Sequence, residues 1–153
     1  MAERMKKHPQ LDNAIRKQKK RGVPVLENTI HAQIAQYLNL VIKRPSRWHT
    51  VEVSNQAQGR AAMIRQMQLK KRGVVTGWPD IEIFWYDQVW YNVVSNTYIG
   101  SFKIIFLEVK IPGGQLTEKQ AALHQELRGD GHSVYVVHSV DEVQSVLKEL
   151  GVI

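Results

Sequence analysis

The chain contains no cysteine. Disulfide frameworks, thiolate nucleophiles and cysteine-based zinc sites are therefore excluded. No stretch approaches the roughly 20 consecutive apolar residues that span a bilayer. The opening segment Met1–Pro9 lacks the apolar core of a signal peptide. An intracellular, cytoplasmic protein with no membrane partner is the expectation. The six histidines are scattered, with no His-x-x-x-His pair to suggest zinc, and there is no internal repeat or low-complexity tract.

What is present is an ordinary globular composition over 153 residues, enough for one domain with a real core. The net charge of +7 is unevenly placed. Met1–Gly22 carries eight basic residues, among them Lys19, Lys20 and Arg21, against only Glu3 and Asp12. Residues 1–22 read as a basic, flexible arm suited to polyphosphate contact. Residues 23–153 read as one nearly neutral domain.

Within that domain, Ile30, Ile34, Leu38 and Val41 recur at helical spacing and predict a helix from Glu27 to Val41. Glu27 lies in its first turn and at the edge of its apolar face. A strand is expected at His49–Val53 and a helix over Gly59–Lys70, followed by the basic cluster Lys70-Lys71-Arg72. Ile81–Tyr86 and Val89–Val94 read as two strands joined tightly at Asp87-Gln88, and Ser95–Gly100 as a turn. Lys103–Ile111 is apolar at most positions, as expected of a central strand buried on both faces. Thr117 with Gln120 forms a capping-box pattern ahead of a helix over Glu118–Arg128. Val134–His138 is a strand and Asp141–Leu150 a final helix. The sum is an α/β domain with one mixed sheet flanked by helices. The passage from Glu108 to Tyr135 is expected to be a parallel, right-handed crossover.

Two short strings carry chemistry: Gly77-Trp78-Pro79-Asp80, and Glu108-Val109-Lys110. Glu108 and Lys110 are two apart on a strand and so share a face. Both interrupt a run otherwise too apolar for charge, where burial without use costs several kcal/mol. A divalent cation would compensate that cost. Asp80 and Glu108 offer hard oxygen ligands for Mg²⁺ or Mn²⁺, and the Val109 carbonyl offers another. Lys110 is placed to orient an attacking water or to stabilise charge on a phosphate. Glu27 is a candidate third carboxylate, as metal ligand or proton acceptor. Gln120 is a candidate to hold a water, a phosphate oxygen or Lys110. Lys70, Lys71 and Arg72 are candidates for phosphate contact, and Trp78 for stacking on a base.

Gly77-Trp78-Pro79-Asp80, Phe106-Leu107-Glu108-Val109-Lys110 and Leu116-Thr117-Glu118-Lys119-Gln120 together resemble the virus-type replication–repair nuclease (VRR-NUC) domain. That family is a branch of the PD-(D/E)XK, restriction-endonuclease-like superfamily. The resemblance covers about Glu27 to Val140. It implies a restriction-endonuclease-like core in αβββαβ order and a metal-dependent endonuclease acting on branched or flapped DNA, such as Holliday junctions. It implies site roles for Glu27, Asp80, Glu108, Lys110 and Gln120, and it aligns Asn55 with a family Asn near the site. The family often carries Trp four residues after its Gln; this chain has His124, a difference expected to touch packing. The segment Asp87–Phe102 is longer than the minimal pattern. The resemblance also implies a phage, mobile-element or bacterial source. A homodimer through Val89–Val94 is the expected assembly, with no small-molecule cofactor. The competing readings are a non-catalytic nucleic-acid-binding module that keeps the fold, and an RNA endonuclease with the same chemistry.

Overall fold

The computed structural model describes residues 26–51, 63–64, 67–69 and 71–153, with backbone alone for Gln88 and Val89. The elements run α1 (Glu27–Val41), β1 (Arg47–Thr50), β2 (Ile81–Asn92), β3 (Thr97–Val109), α2 (Glu118–Gly129), β4 (Ser133–Val137) and α3 (Val140–Glu149). Among the described residues the sheet has four strands in the spatial order β1-β2-β3-β4. The first three pair antiparallel and β4 joins β3 in parallel, with α2 as the crossover. This mixed sheet flanked by helices is the expected α/β, restriction-endonuclease-like arrangement. Of the helix expected over Gly59–Lys70, residues 63, 64 and 67–69 are helical and the rest lie outside the described residues.

The alternation along β3 divides the molecule into layers. Ile105, Leu107 and Val109 face a large core with Ile81, Ile83, Ile30, Ile34, Leu38, Val143 and Leu147, contributed by β2, α1 and α3. Fully burying such side chains is worth about 1.5–3 kcal/mol each. The even positions face the other way. Phe106 packs with Leu127 of α2 and Val134 of β4 in a smaller cluster, flanked by Trp78, Ile104 and Leu123. Glu108 and Lys110 continue the Phe106 row, so the chemistry emerges on the thinner, α2-covered side.

Three local expectations are corrected. β1 begins at Arg47 rather than His49, because Trp48 packs inward against the main core and Ser46 accepts a hydrogen bond from the Tyr86 amide at 3.1 Å. Asp87-Gln88 is not a turn: β2 runs through it, with a register irregularity between Asp87 and Trp90. The turn is Val93–Asn96. There Asn92 Oδ1 accepts from the amides of Val94 and Ser95, and Asn96 takes a left-handed φ of 53°, a conformation that asparagine tolerates. β3 accordingly starts at Thr97, within the segment read as a turn, and stops at Val109.

The outer halves of β2 and β3 therefore form a hairpin arm. β1 reaches only Phe84 and β4 only Ile105, so beyond these residues neither outer edge is paired among the described strands. Tyr91 stands against Tyr98 with ring centroids 5.2 Å apart, and Tyr86 against Phe102 at 5.8 Å. Trp90, Val93, Tyr98 and Phe102 are more than half exposed, and Val94 is 98 % exposed at the tip.

Candidate metal and catalytic centre

β2 and β3 pair Ile81 with Leu107, so the register sets Asp80 opposite Glu108. Like charges directly opposite on one sheet face destabilise the pair unless a cation lies between them. Asp80 is pinned from both ends. Its carbonyl accepts the Val51 amide at 2.8 Å, and its Oδ2 accepts the Val109 amide at 2.8 Å. A strand residue directs its N–H and C=O to the same edge, so the Val109 carbonyl also faces the Asp80 side. The next residue, Lys110, donates its amide to Val137 of β4 at 3.0 Å, as that alternation requires.

Glu108 has no exposed surface. Its Oε1 contacts Lys110 Nζ at 2.7 Å and accepts a hydrogen bond from Gln120 Nε2. Gln120 serves the helix start as well. Thr117 Oγ1 accepts the Gln120 amide, and Gln120 Oε1 accepts the Thr117 amide at 3.0 Å, closing the capping box. One residue thus terminates a helix and orients an acid. Lys110 reaches past the strand end to Glu27 Oε2 at 3.7 Å, so the first residue of α1, from the opposite layer, enters the same cluster. The structure brings Glu27, Asp80, Glu108, Lys110 and Gln120 together.

Sequence reasoning missed His124. It lies one helical turn beyond Gln120 and is fully buried, with Nε2 3.6 Å from Glu108 Oε2. Neither of its ring nitrogens, nor Glu108 Oε2, has a hydrogen-bond partner. The Gln120–His124 spacing of four was a readable sign that both share a face of α2.

Other candidates fall outside this cluster. Trp78 donates Nε1–H to Glu82 at 2.6 Å and meets Phe106 edge-on, so its indole is engaged in packing. Lys71 and Arg72 are exposed. Lys70, Asn55, Lys19, Lys20 and Arg21 lie outside the described residues.

The electrostatics follow from enclosure. Burial, opposed by the Lys110 bond and reinforced by the charge of Asp80, pushes the Glu108 carboxyl up to about 7. Burial pulls the Lys110 ammonium down, but its bond to Glu108 and the charges of Glu108, Glu27 and Asp80 prevail and raise it. Burial, with the nearby charges of Arg128 and Lys110, lowers His124 and keeps it neutral.

The donor set fits a hard divalent cation. Two opposed carboxylates and a backbone carbonyl are oxygen ligands of the type Mg²⁺ and Mn²⁺ take. No cluster of three or more His, Asp or Glu side chains with metal-holding geometry occurs among the described residues. Asp80 and Glu108 are therefore the side chains that would hold the ion, with the Val109 carbonyl and water completing its shell.

A mixed sheet that presents an acid–x–lysine strand end to an aspartate on its neighbour is a restriction-endonuclease-like nuclease core. A profile of the VRR-NUC domain matches residues 25–141, which include every residue of the cluster, and the chain belongs to that nuclease family. Neither a curated protein nor a solved structure matches the chain.

Gly77 ties the two halves of the site together. Its φ is +89°, and a Cβ there would meet the Gln120 nitrogen and the Lys119 carbonyl carbon at 3.2 Å. The turn carrying Asp80 thus rests directly on the first turn of the helix carrying Gln120. Gly77→Ala is expected to destabilise the protein by about 1–3 kcal/mol through left-handed strain and overpacking. Chemical denaturation measures this; a loss below about 0.5 kcal/mol would show that the two turns are not in tight contact.

The raised Glu108 pKa sets the sign of a stability profile. A carboxyl that holds its proton more tightly when folded stabilises the metal-free fold fully below the unfolded pKa. It loses that contribution as pH rises through about 7. The Glu108 slope therefore lies between about pH 4.5 and 7, where His124, lowered, contributes the opposite sign below its unfolded value near 6.5. The difference from Glu108→Gln isolates the carboxyl: across that range the metal-free wild type is expected to lose thermal stability relative to the variant as pH rises. Parallel slopes for the two proteins would contradict the assignment.

Proposed function

We propose that this protein is a Mg²⁺- or Mn²⁺-dependent, structure-selective endonuclease. It hydrolyses phosphodiester bonds of branched DNA, such as Holliday junctions or flaps, and works as a homodimer. The observation that carries this reading is the placement of Asp80 opposite Glu108, with Lys110 bonded to Glu108 at 2.7 Å. A bound cation supplies an acidified water and neutralises charge on the scissile phosphate. Asp80 and Glu108 hold it. Lys110, kept protonated by its carboxylate neighbours, orients the attacking water or a phosphate oxygen. Glu27, about half exposed across from Lys110, is the carboxylate open to solvent and takes up the water's proton. Gln120 holds the Glu108 carboxylate in place. Lys71 and Arg72, together with the basic segment before Gly22, supply charge for a polyanion.

The decisive test uses labelled four-way junction, flap, linear duplex and matched RNA, each with Mg²⁺, Mn²⁺ or EDTA. Wild-type protein is expected to cut branched DNA only with metal. Lys110→Ala is expected to lose at least about 10²-fold in rate while still binding the junction. No cleavage of any substrate by pure wild-type protein would reduce the reading to a binding module, and preference for the RNA would move the substrate class.

The hairpin arm supports the homodimer. From Tyr86 to Lys103 it holds one acid, Asp87, and one base, Lys103, so it offers little to phosphate. Its exposed aromatics and valines, with outer strand edges unpaired among the described strands, suit another protein surface. Tyr91→Glu combined with Val94→Glu is expected to convert a two-chain particle into a single chain in sedimentation velocity. A wild-type protein that sediments as one chain at working concentration contradicts the dimer.

A further inference from the structure

The buried space behind Glu108 contains an unresolved demand for hydrogen bonds. Glu108 Oε2, His124 Nε2 and His124 Nδ1 are all enclosed and unpartnered, and an unmade bond to a buried polar group costs about 1–3 kcal/mol. Two of these atoms face each other at 3.6 Å. That is too close for a water to stand between them and only a few tenths of an ångström beyond hydrogen-bond range. The charged and polar groups around the imidazole are Glu108 on β3, Lys110 just past its end, Gln120 on its own helix, Arg128 one turn further on, and Asp80 across the sheet. None of these is hydrogen-bonded to the ring, and the Glu108 carboxylate faces it at 3.6 Å.

We propose that His124 is a positioning residue for the metal-binding carboxylate: as the neutral Nε2–H tautomer it donates to Glu108 Oε2 and fixes the plane of that carboxylate. The inference rests on the nuclease reading and adds to it a residue that touches neither metal nor DNA. The argument is one of degrees of freedom. Glu108 Oε1 already receives Lys110 and Gln120, but both contacts converge on a single oxygen. A carboxylate held at one oxygen still rotates about that point. A second donor at Oε2 removes the rotation. His124 is the candidate, because its Nε2 lies 3.6 Å from that oxygen and neither atom has a hydrogen-bond partner elsewhere. The helix positions the donor without conformational search, since Gln120 and His124 project from successive turns of α2.

Residues that orient a metal ligand through its far side typically contribute 10–100-fold in metal affinity. Two measurements test the role. In metal-free, ¹⁵N-labelled wild-type protein at pH 9, where the Glu108 carboxyl is ionised, long-range proton–nitrogen spectra are expected to show His124 with its proton on Nε2. A proton on Nδ1 would overturn the proposal, whatever the variants do. In calorimetric Mn²⁺ titrations without DNA, His124→Phe, which fills the space without a donor, is expected to bind about 10–100-fold more weakly. His124→Gln, which restores a donor of similar reach, is expected to recover most of that loss. His124→Phe binding Mn²⁺ as tightly as wild type would overturn the positioning role alone. Wild-type protein that takes up no Mn²⁺ would overturn the metal-dependent reading, and this inference with it.

Discussion

The enclosure of the Glu108 carboxylate is the constraint on which the rest of the structure depends. A charged group with no exposed surface, set opposite a second carboxylate, is a cost that a domain of this size tolerates only with compensation. Each neighbouring element supplies part of it. Lys110 comes from the same strand, Gln120 from the crossover helix, His124 from its next turn and Glu27, through Lys110, from the first helix. The topology is what lets three elements reach one atom group. β3 is central, covered by α1 and α3 on one side and by α2 on the other. Its last residues emerge where both layers end.

The division into a thick and a thin layer has a functional consequence. The main core is apolar apart from the Tyr37 hydroxyl, and it holds β2 and β3 in register. The smaller cluster under α2 then leaves room for polar groups without threatening that register. The Asp80 turn depends on both. Its carbonyl and carboxylate accept the amides of Val51, just after β1, and of Val109 in β3, while Gly77 sets it against the start of α2. Backbone contacts, which do not relax by rotamer changes, therefore place the aspartate.

Much of this was legible in the residues. The helix over Glu27–Val41 followed from Ile30, Ile34 and Leu38, and the capping box from Thr117 and Gln120. Asp80, Glu108 and Lys110 stood out because charge in an apolar strand is expensive. The hairpin arm was misread, because Asp87-Gln88 resembles a turn locally while the decisive signals lie at Asn92 and Asn96. A two-residue polar break in a strand does not distinguish a bulge from a connection; the cross-strand partners do, and those are non-local. His124 escaped for a related reason. Its spacing from Gln120 marked a shared helix face, but that the face closes over Glu108 is a tertiary fact. Trp78 was read as a free ring because its neighbours in sequence are turn residues, whereas its partners Glu82 and Phe106 come from β2 and β3.

Charge counting at the cluster links stability to the proposed chemistry. Glu27, Asp80 and Glu108, if all ionised, bring three negative charges, and Lys110 returns one positive charge. The imbalance is two, the charge of one divalent cation. Without that cation the protein has one inexpensive remedy, to keep a proton on the most deeply buried acid. Burial, with the charges of Asp80 and Glu27 added to it, raises the Glu108 pKa to about 7 in that direction. On the proposed function, a divalent cation held by Asp80 and Glu108 would answer the same deficit in place of the proton. On the same reading, a scissile phosphate would add a negative charge that a single ion would not balance. Its countercharge would fall to Lys110, the one cation of the cluster among the described residues, whose ammonium is bonded to Glu108. On the proposed function, the ion pair that makes Glu108 tolerable in the resting fold is also what turns toward phosphate or water in catalysis. A lysine two residues from the acid on the same strand face performs both tasks without moving the backbone.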